Sequence, residues 1–391
     1  MKHVTKILAV ILVTVIALST TACSLTPQWS YADGENKLTI GTYIYAMHNA
    51  YSQAQSLAQE TEGYDSEAGT YDGNKSFLDV KITDEDGNEA VAEQWIKDET
   101  DKTMKTLLAI DKEFERLDCK IDDEAMANHK ATAKEYWEYG PYYSMYGEQY
   151  IQPYKDIYEP LGISYESFEY FYLTSAKQEV IFDTLYKEGG EKAVAEKELK
   201  KYFTDNYTSY VYFNTNLYTT TQEAGDDGQS LSKNEALSKK EISKIEDQYK
   251  GYVEDIKNGK SVDDVAKKMM KDQKLESDPS VKNVEPLEDS AIGEDLVAAI
   301  KELKEGEASY KIIGEEDSQV IYFFYKEPID KQVKAYIDDE ANSKSVLQNF
   351  KGEEFQTYID ELAKGLKPDV NEKAIKKYTP SFMEENAQSA A

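Results

Sequence analysis

Two aromatic stretches, Tyr210–Tyr218 (YVYFNTNLY) and Asp317–Tyr325 (DSQVIYFFY), interrupt a chain that otherwise reads as helix. β-Branched and aromatic residues suit a pleated, half-buried backbone. The run Val320-Ile321-Tyr322-Phe323-Phe324 predicts a strand covered on both faces. In the first stretch, Tyr212 and Asn214 fall on one face, Val211 and Phe213 on the other. Helical patterns at 235–257, 261–272 and 292–304 lie between the two strands, the first stopping at Asn258-Gly259. The order over 207–328 is therefore β-α-α-α-β. The expected fold is mainly α with an inserted α+β domain.

Helical patterns also flank this block. In 37–60, Tyr43, Met47, Ala50, Ala54 and Leu57 recur every three or four residues. Residues 61–75 read as loop, and 77–91 as a small hairpin turning at Asp86-Gly87. Further helices are expected at 92–119, 123–138, 164–188 and 191–206. Residues 219–234 read as a flexible loop, 331–365 as one long helix, and 379–391 as a disordered polar tail. The segment 136–160 holds eight tyrosines, broken into turns at Gly140-Pro141 and Gly147. Tyrosine joins a large apolar body to a polar tip. Two readings stay open: the rings pack helices together, or Tyr139, Tyr142, Tyr143 and Tyr146 form a surface that grips a polypeptide.

Charge excludes some functions. Acidic residues number 75 against 45 basic, net −30, so a phosphate backbone would be repelled and nucleic acid is not an expected partner. A cationic client or matrix would be attracted. Cys23 and Cys119 are the only cysteines. With Cys23 at the leader's end, Cys119 has no partner for an internal disulfide and reads as an apolar filler. The histidines are His3, His48 and His129; His48 reads as packed and His129 as surface. No hydrolase, zincin or P-loop motif occurs. Thr83–Asn88 hints at a calcium loop, but with Gly87 at position six the first ligand position would be Ile82. A tight turn is the better reading, and no metal or cofactor is expected.

The start of the chain carries Lys2 and Lys6, then the apolar run 7–18, shorter than the ~20 residues that span a bilayer. Ser19-Thr20-Thr21-Ala22-Cys23 follows and resembles a bacterial lipoprotein signal, with Thr20 where a large aliphatic residue is usual. That resemblance implies a signal peptide over 1–22, a diacylglycerol on Cys23 and a tether over 23–36. It places the chain on the outer face of a bacterial cell membrane, with the lipid bilayer as a partner.

Three stretches of the block resemble the parvulin class of peptidyl-prolyl isomerases: 256–268 (IKNGKSVDDVAKK), 299–309 (AIKELKEGEAS) and 319–324 (QVIYFF). With 160–168 (PLGISYESF), the whole chain is similar to exported foldases of the PrsA/SurA type. The resemblance implies an N-terminal helical chaperone region at 37–206, a parvulin-like domain at 207–328, and a C-terminal helix at 329–378 packing on the N-terminal region. It also implies unfolded or nascent secreted polypeptides as clients. The family's isomerase site uses two histidines on neighbouring strands. The matching places here fall at Tyr212 or Phe213 and at Gln319, and no histidine follows His129. A degenerate pocket of Tyr212, Phe213, Asn214 and Gln319 is therefore expected, beneath a short acidic loop at 277–289. The leading reading is a membrane-anchored chaperone without confident catalytic residues. Its alternatives are an active isomerase, or a non-catalytic lipoprotein that binds a cell-wall glycan or one exported partner through the tyrosine cluster.

Overall fold

The computed structural model describes residues 29–61, 63–65, 70–71, 75–224, 230–315 and 317–387. The leader, Cys23 and residues 24–28 lie outside them. The chain divides into two compact units, residues 194–352 and the remainder.

The larger unit begins with β1 (Trp29–Asp33) and β2 (Asn36–Thr39), an antiparallel hairpin. Thr39 caps α1 (Ile40–Gln59), its hydroxyl accepting from Thr42 N at 3.0 Å. One stripe of α1 (Ile44, Met47, Ala50, Ala54, Ala58) is buried, which is the spacing of a single helix face. Gly41 is required there: any Cβ would strike the Ser167 side chain. After the short hairpin of β3 (Lys81–Thr83) and β4 (Glu89–Val91) come α2 (Ala92–Arg116) and α3 (Asp123–Tyr139), the latter capped by Asp122. Two short helices, α4 (Tyr143–Tyr146) and α5 (Tyr154–Tyr158), lead to α6 (Tyr165–Tyr186), capped by Ser164. The core gathers Ile44 and Met47 of α1, Ile96, Met104 and Leu108 of α2, Trp137 of α3, and Phe168 of α6.

The second unit opens with α7 (Glu196–Asn206), β5 (Thr208–Asn216), and a ribbon of β6 (Tyr218–Ala224) and β7 (Ser230–Ala236). Then follow α8 (Lys239–Lys257), α9 (Val262–Gln273), β8 (Val281–Glu285), α10 (Glu294–Lys301), β9 (Ala308–Ile313), β10 (Val320–Glu327), α11 (Val333–Ile337) and α12 (Glu340–Gly365). Four strands form one antiparallel sheet in the order β8-β5-β10-β9. The two aromatic stretches are therefore neighbours, with Phe213 directly opposite Phe323. Their rings stack at 4.5 Å and 9°. That pair, with Val211 and Ile321, lies on Tyr249, Tyr252, Val265 and Met269 from α8 and α9. The other face buries Tyr210 and Phe324 under Leu287, Leu296 and Ile300.

Within α12 the chain returns to the first unit. Phe355 meets Phe182 edge-on at 5.4 Å, and β11 (Asp369–Val370) adds to β1. Two helices follow, α13 (Glu372–Ile375) and α14 (Pro380–Ala387). Arg116, the only arginine in the sequence, binds Glu113 through two nitrogens at 2.7 Å and Glu191 through two at 2.9 Å. The Tyr358 hydroxyl donates to the same Glu113, which is buried, at 2.6 Å. Only a planar fork satisfies two carboxylates in this way.

Several expectations need correction. The tether cannot run to 36, because Trp29–Asp33 is a paired strand with Tyr31 buried. The loop expected at 219–234 contains the β6–β7 ribbon; its threonines and other polar residues pair through the backbone and through side-chain hydrogen bonds such as Thr220 to Asn234, and leave no apolar signature. The acidic segment 277–289 contains β8, and Ala308–Ile313 is a further strand, so the sheet has four members rather than two. The helix expected at 331–365 breaks at Asp338. The tail expected to be disordered from 379 carries α14, fixed by the fully buried Met383. The units divide at 193/194 and 352/353 rather than at 206/207 and 328/329. Tyr202 stacks on Phe350 at 4.5 Å and Phe203 on Tyr336 at 5.2 Å, which binds α7 and α11 to the second unit.

Removing the stacked ring tests this packing. Phe213→Ala in the full chain is expected to lower unfolding free energy by about 3–5 kcal/mol in urea titration. Exposed Asn214→Ala on the same strand is expected to stay within about 0.5 kcal/mol.

Candidate functional site

The four residues expected to form a pocket in the second unit are not brought together. Phe213 is core, 1% exposed. Tyr212 lies opposite Phe324 and Asn214 opposite Tyr322 on the other face. Gln319 precedes β10, and its carbonyl accepts from Leu217 N at 2.8 Å, so it sits five positions along the strand from Tyr212. What that face does hold is a polar network around Tyr210. Its hydroxyl accepts from Asn283 Nδ2 at 2.9 Å, lies 3.1 Å from Ser290 Oγ and donates to Glu285. Burial, then the Glu285 hydrogen bond, pushes this phenol up to about 12. The signal was available in the sequence, since Tyr210 is two residues before Tyr212 and must share its face. The partners on β8 could not be read, because β8 carries no strand-like pattern.

The tyrosine-rich segment of the first unit splits into two populations. Tyr136, Tyr154 and Tyr158 pack inward: Tyr158 lies 5.4 Å from Tyr154 and 6.0 Å from Phe168, and Tyr154 meets Tyr136 edge-on. For these the packing reading holds. Between Tyr139 and Tyr150 the rings turn outward. Tyr142 and Tyr146 are each 52% exposed, Tyr150 47% and Tyr139 40%. Met145 (71%) and Ile151 (42%) extend the same patch. The rings stand in a ladder, Tyr139 stacked on half-buried Tyr143 at 4.7 Å, Tyr142 at 6.3 Å from Tyr146, and Tyr146 at 5.1 Å from Tyr150.

Backbone chemistry builds this outward turn. Gly140 ends α3 at φ 89°, where a Cβ would also strike the carbonyl of Gln152. Gln152 N in turn donates to Tyr139 O at 3.0 Å, closing the loop that displays α4. Gly147 at φ 77° ends α4.

Hydroxyl partners separate core rings from surface rings. Many buried phenols are tied to acceptors, Tyr252 to Asp272 at 3.0 Å, Tyr249 to Thr215 at 2.8 Å and Tyr186 to Glu354 at 3.2 Å, whereas the buried Tyr51 hydroxyl has none. The hydroxyls of Tyr139, Tyr142, Tyr143, Tyr146 and Tyr150 have no such partner among the described residues. An exposed apolar patch with unclaimed polar tips is suited to binding another chain. It offers shallow contact and hydrogen bonding but no nucleophile, base or oxyanion donor set. His48 lies near its base, edge-on to Tyr158 at 5.4 Å, with Nδ1 buried and unpartnered. His129 is partly covered by Tyr172 at 6.4 Å. Cys119 is buried beside Thr184 Oγ1 at 3.4 Å. Asp84 organises its hairpin turn by accepting from Asn88 N at 2.7 Å. Among the described residues no cluster of three or more His, Cys, Asp or Glu is placed to hold a metal ion, and no helix is long and apolar enough to cross a membrane.

No protein-family model matches the sequence, and no curated protein matches it. Among solved structures, the foldase protein PrsA from Streptococcus pneumoniae is similar over 76% of this chain and 97% of that one, at 15% identity and TM-score 0.30. PrsA from Bacillus subtilis is similar over the same shares, at 16% identity and TM-score 0.26. At identities and scores this low, the functional reading rests on the geometry of the chain itself.

Two measurements follow from the site. Tyr142→Ser with Tyr146→Ser is expected to leave the unfolding free energy from urea titration within about 0.5 kcal/mol of the parent, because both rings are surface features. Trp137→Ala, which removes a buried ring packed against Tyr158 and Phe168, is expected to cost about 3–5 kcal/mol. Burial holds the His48 imidazole below its ordinary 6.5. The unfolded chain therefore takes up the proton first, and folding stability falls as pH drops below about 6.5. Stability measured from pH 7.5 to 5.5 is expected to fall less steeply in His48→Gln than in the parent; parallel slopes would exclude this role for His48.

Proposed function

We propose that this protein is an extracytoplasmic chaperone of the foldase kind, anchored to the outer face of the membrane through Cys23, whose clients are unfolded secreted polypeptides. The observation that carries the reading is the exposed ring ladder of Tyr139, Tyr142, Tyr146 and Tyr150 with Met145 and Ile151. Monomeric proteins seldom leave such groups contiguous and solvated without a use for them. Many shallow contacts suit a holdase, which must release its client, better than one deep pocket.

The second unit is read as a parvulin-like domain without the family's histidine pair. Support comes from β5 and β10 lying as antiparallel neighbours and from the polar face around Tyr210. Isomerisation needs no bond broken, only an amide twisted over a barrier of about 18–20 kcal/mol. Donors aimed at the twisted state lower that barrier. Here the face offers one phenol, Tyr210, already engaged with Glu285 and Asn283, rather than imidazoles.

Purified chain from residue 24 onward, at several-fold excess, is expected to suppress aggregation of a reduced secreted protein. Tyr142→Ser with Tyr146→Ser is expected to lose most of that suppression. Light scattering unchanged by the parent protein would sink the reading. In a protease-coupled proline-peptide assay, the expected rate equals the uncatalysed one; clear acceleration would establish the isomerase alternative.

A further inference from the structure

The ring ladder does not stand in neutral surroundings. Half-buried Glu138 closes the last turn of α3 next to Tyr139 in sequence, and exposed Glu148 falls between Tyr146 and Tyr150. Asp156 and Glu159 follow on the same connection, and Lys155 is the only basic residue from 138 to 159. Glu138 pairs with Lys134 at a distant 3.9 Å, the lysine largely in water. Glu148 has none among the described residues.

Apolar contact alone would accept any hydrophobic segment. A carboxylate next to an exposed ring changes that. A lysine or arginine laid across the ladder meets the negative face of a phenol and a carboxylate together, each favourable. A glutamate laid there meets repulsion from both. We infer that the patch selects client segments in which lysine or arginine alternates with aromatic or aliphatic residues, and rejects acidic segments of equal hydrophobicity. The net charge of −30 draws the same segments in from a distance. This inference rests on the client-binding reading above and specifies its substrate class.

The test uses three extended peptides with identical aromatic and aliphatic positions and with Lys, Gln or Glu between them. Binding to the full chain from residue 24 is read by fluorescence anisotropy at low salt and again at about 0.3 M, where screening is short-ranged. The Lys peptide is expected to bind about tenfold or more tighter than the Glu peptide at low salt, a difference of about 1.4 kcal/mol. Glu138→Gln with Glu148→Gln is expected to shrink that gap while leaving the Gln peptide unchanged. The remote pair Asp247→Asn with Glu254→Gln is expected to preserve the gap, which separates local carboxylates from net charge. Equal affinity for Lys and Glu peptides would overturn the inference, as would a gap that survives Glu138→Gln with Glu148→Gln. If aggregation suppression persists in either case, only the selectivity is lost. If no peptide binds and suppression is absent, the client-binding reading itself falls.

Discussion

A phenol hydroxyl taken out of water must find an acceptor or cost the chain a few kcal/mol, and this chain builds much of its core from tyrosine. Tyr186, Tyr210, Tyr249 and Tyr252 are among its largest fully buried side chains. Carboxylates answer most of them. Glu285 takes Tyr210, Asp272 takes Tyr252, Glu354 takes Tyr186, and Asp101 takes Tyr31 at 3.1 Å. Half-buried Tyr170 donates to Asp111 at 2.8 Å, and Lys177 neutralises that carboxylate. Part of the acidic excess is thereby structural. With one buried free thiol and no staple inside the described fold, ring packing and these hydrogen bonds hold each unit together on its own.

The same rule gives the surface tyrosines their meaning. Between Gly140 and Gln152 the chain spends rings without spending acceptors. Tyr142, Tyr146 and Tyr150 add little to the core, and their hydroxyls are left to water. Their exposure around a short, glycine-bounded helix is the basis of the proposed contact with another chain.

Much of the helical framework was legible. The stripe of α1, the Ser164 start of α6, the hairpin at Asp86-Gly87 and the stop at Asn258-Gly259 all follow from spacing and caps that act locally. The two aromatic strands were legible because Val320–Phe324 has no other comfortable conformation. What could not be read depends on partners distant in sequence. β8 and β9 exist because β5 and β10 present free edges. The β6–β7 ribbon pairs through backbone and polar side-chain hydrogen bonds that carry no apolar alternation. Met383 holds α14 against a core assembled nearly 300 residues earlier in the chain. The expected pocket failed for the same reason: alternation placed Tyr212 on its face correctly, but register alone decides that Phe324, and not Gln319, lies across from it. The tyrosine segment gave its residue types away but not which rings faced out, since that depends on Gly140 meeting Gln152.

The central claim is that the outward ladder touches unfolded client. A photo-crosslinking residue placed at Tyr146, and separately at exposed Leu275 in the other unit, tests it directly. Irradiation with a reduced, unfolded secreted protein should give an adduct from position 146 that disappears when the client is folded, and little from 275. Equal adducts from both positions, or none from 146, would contradict the account.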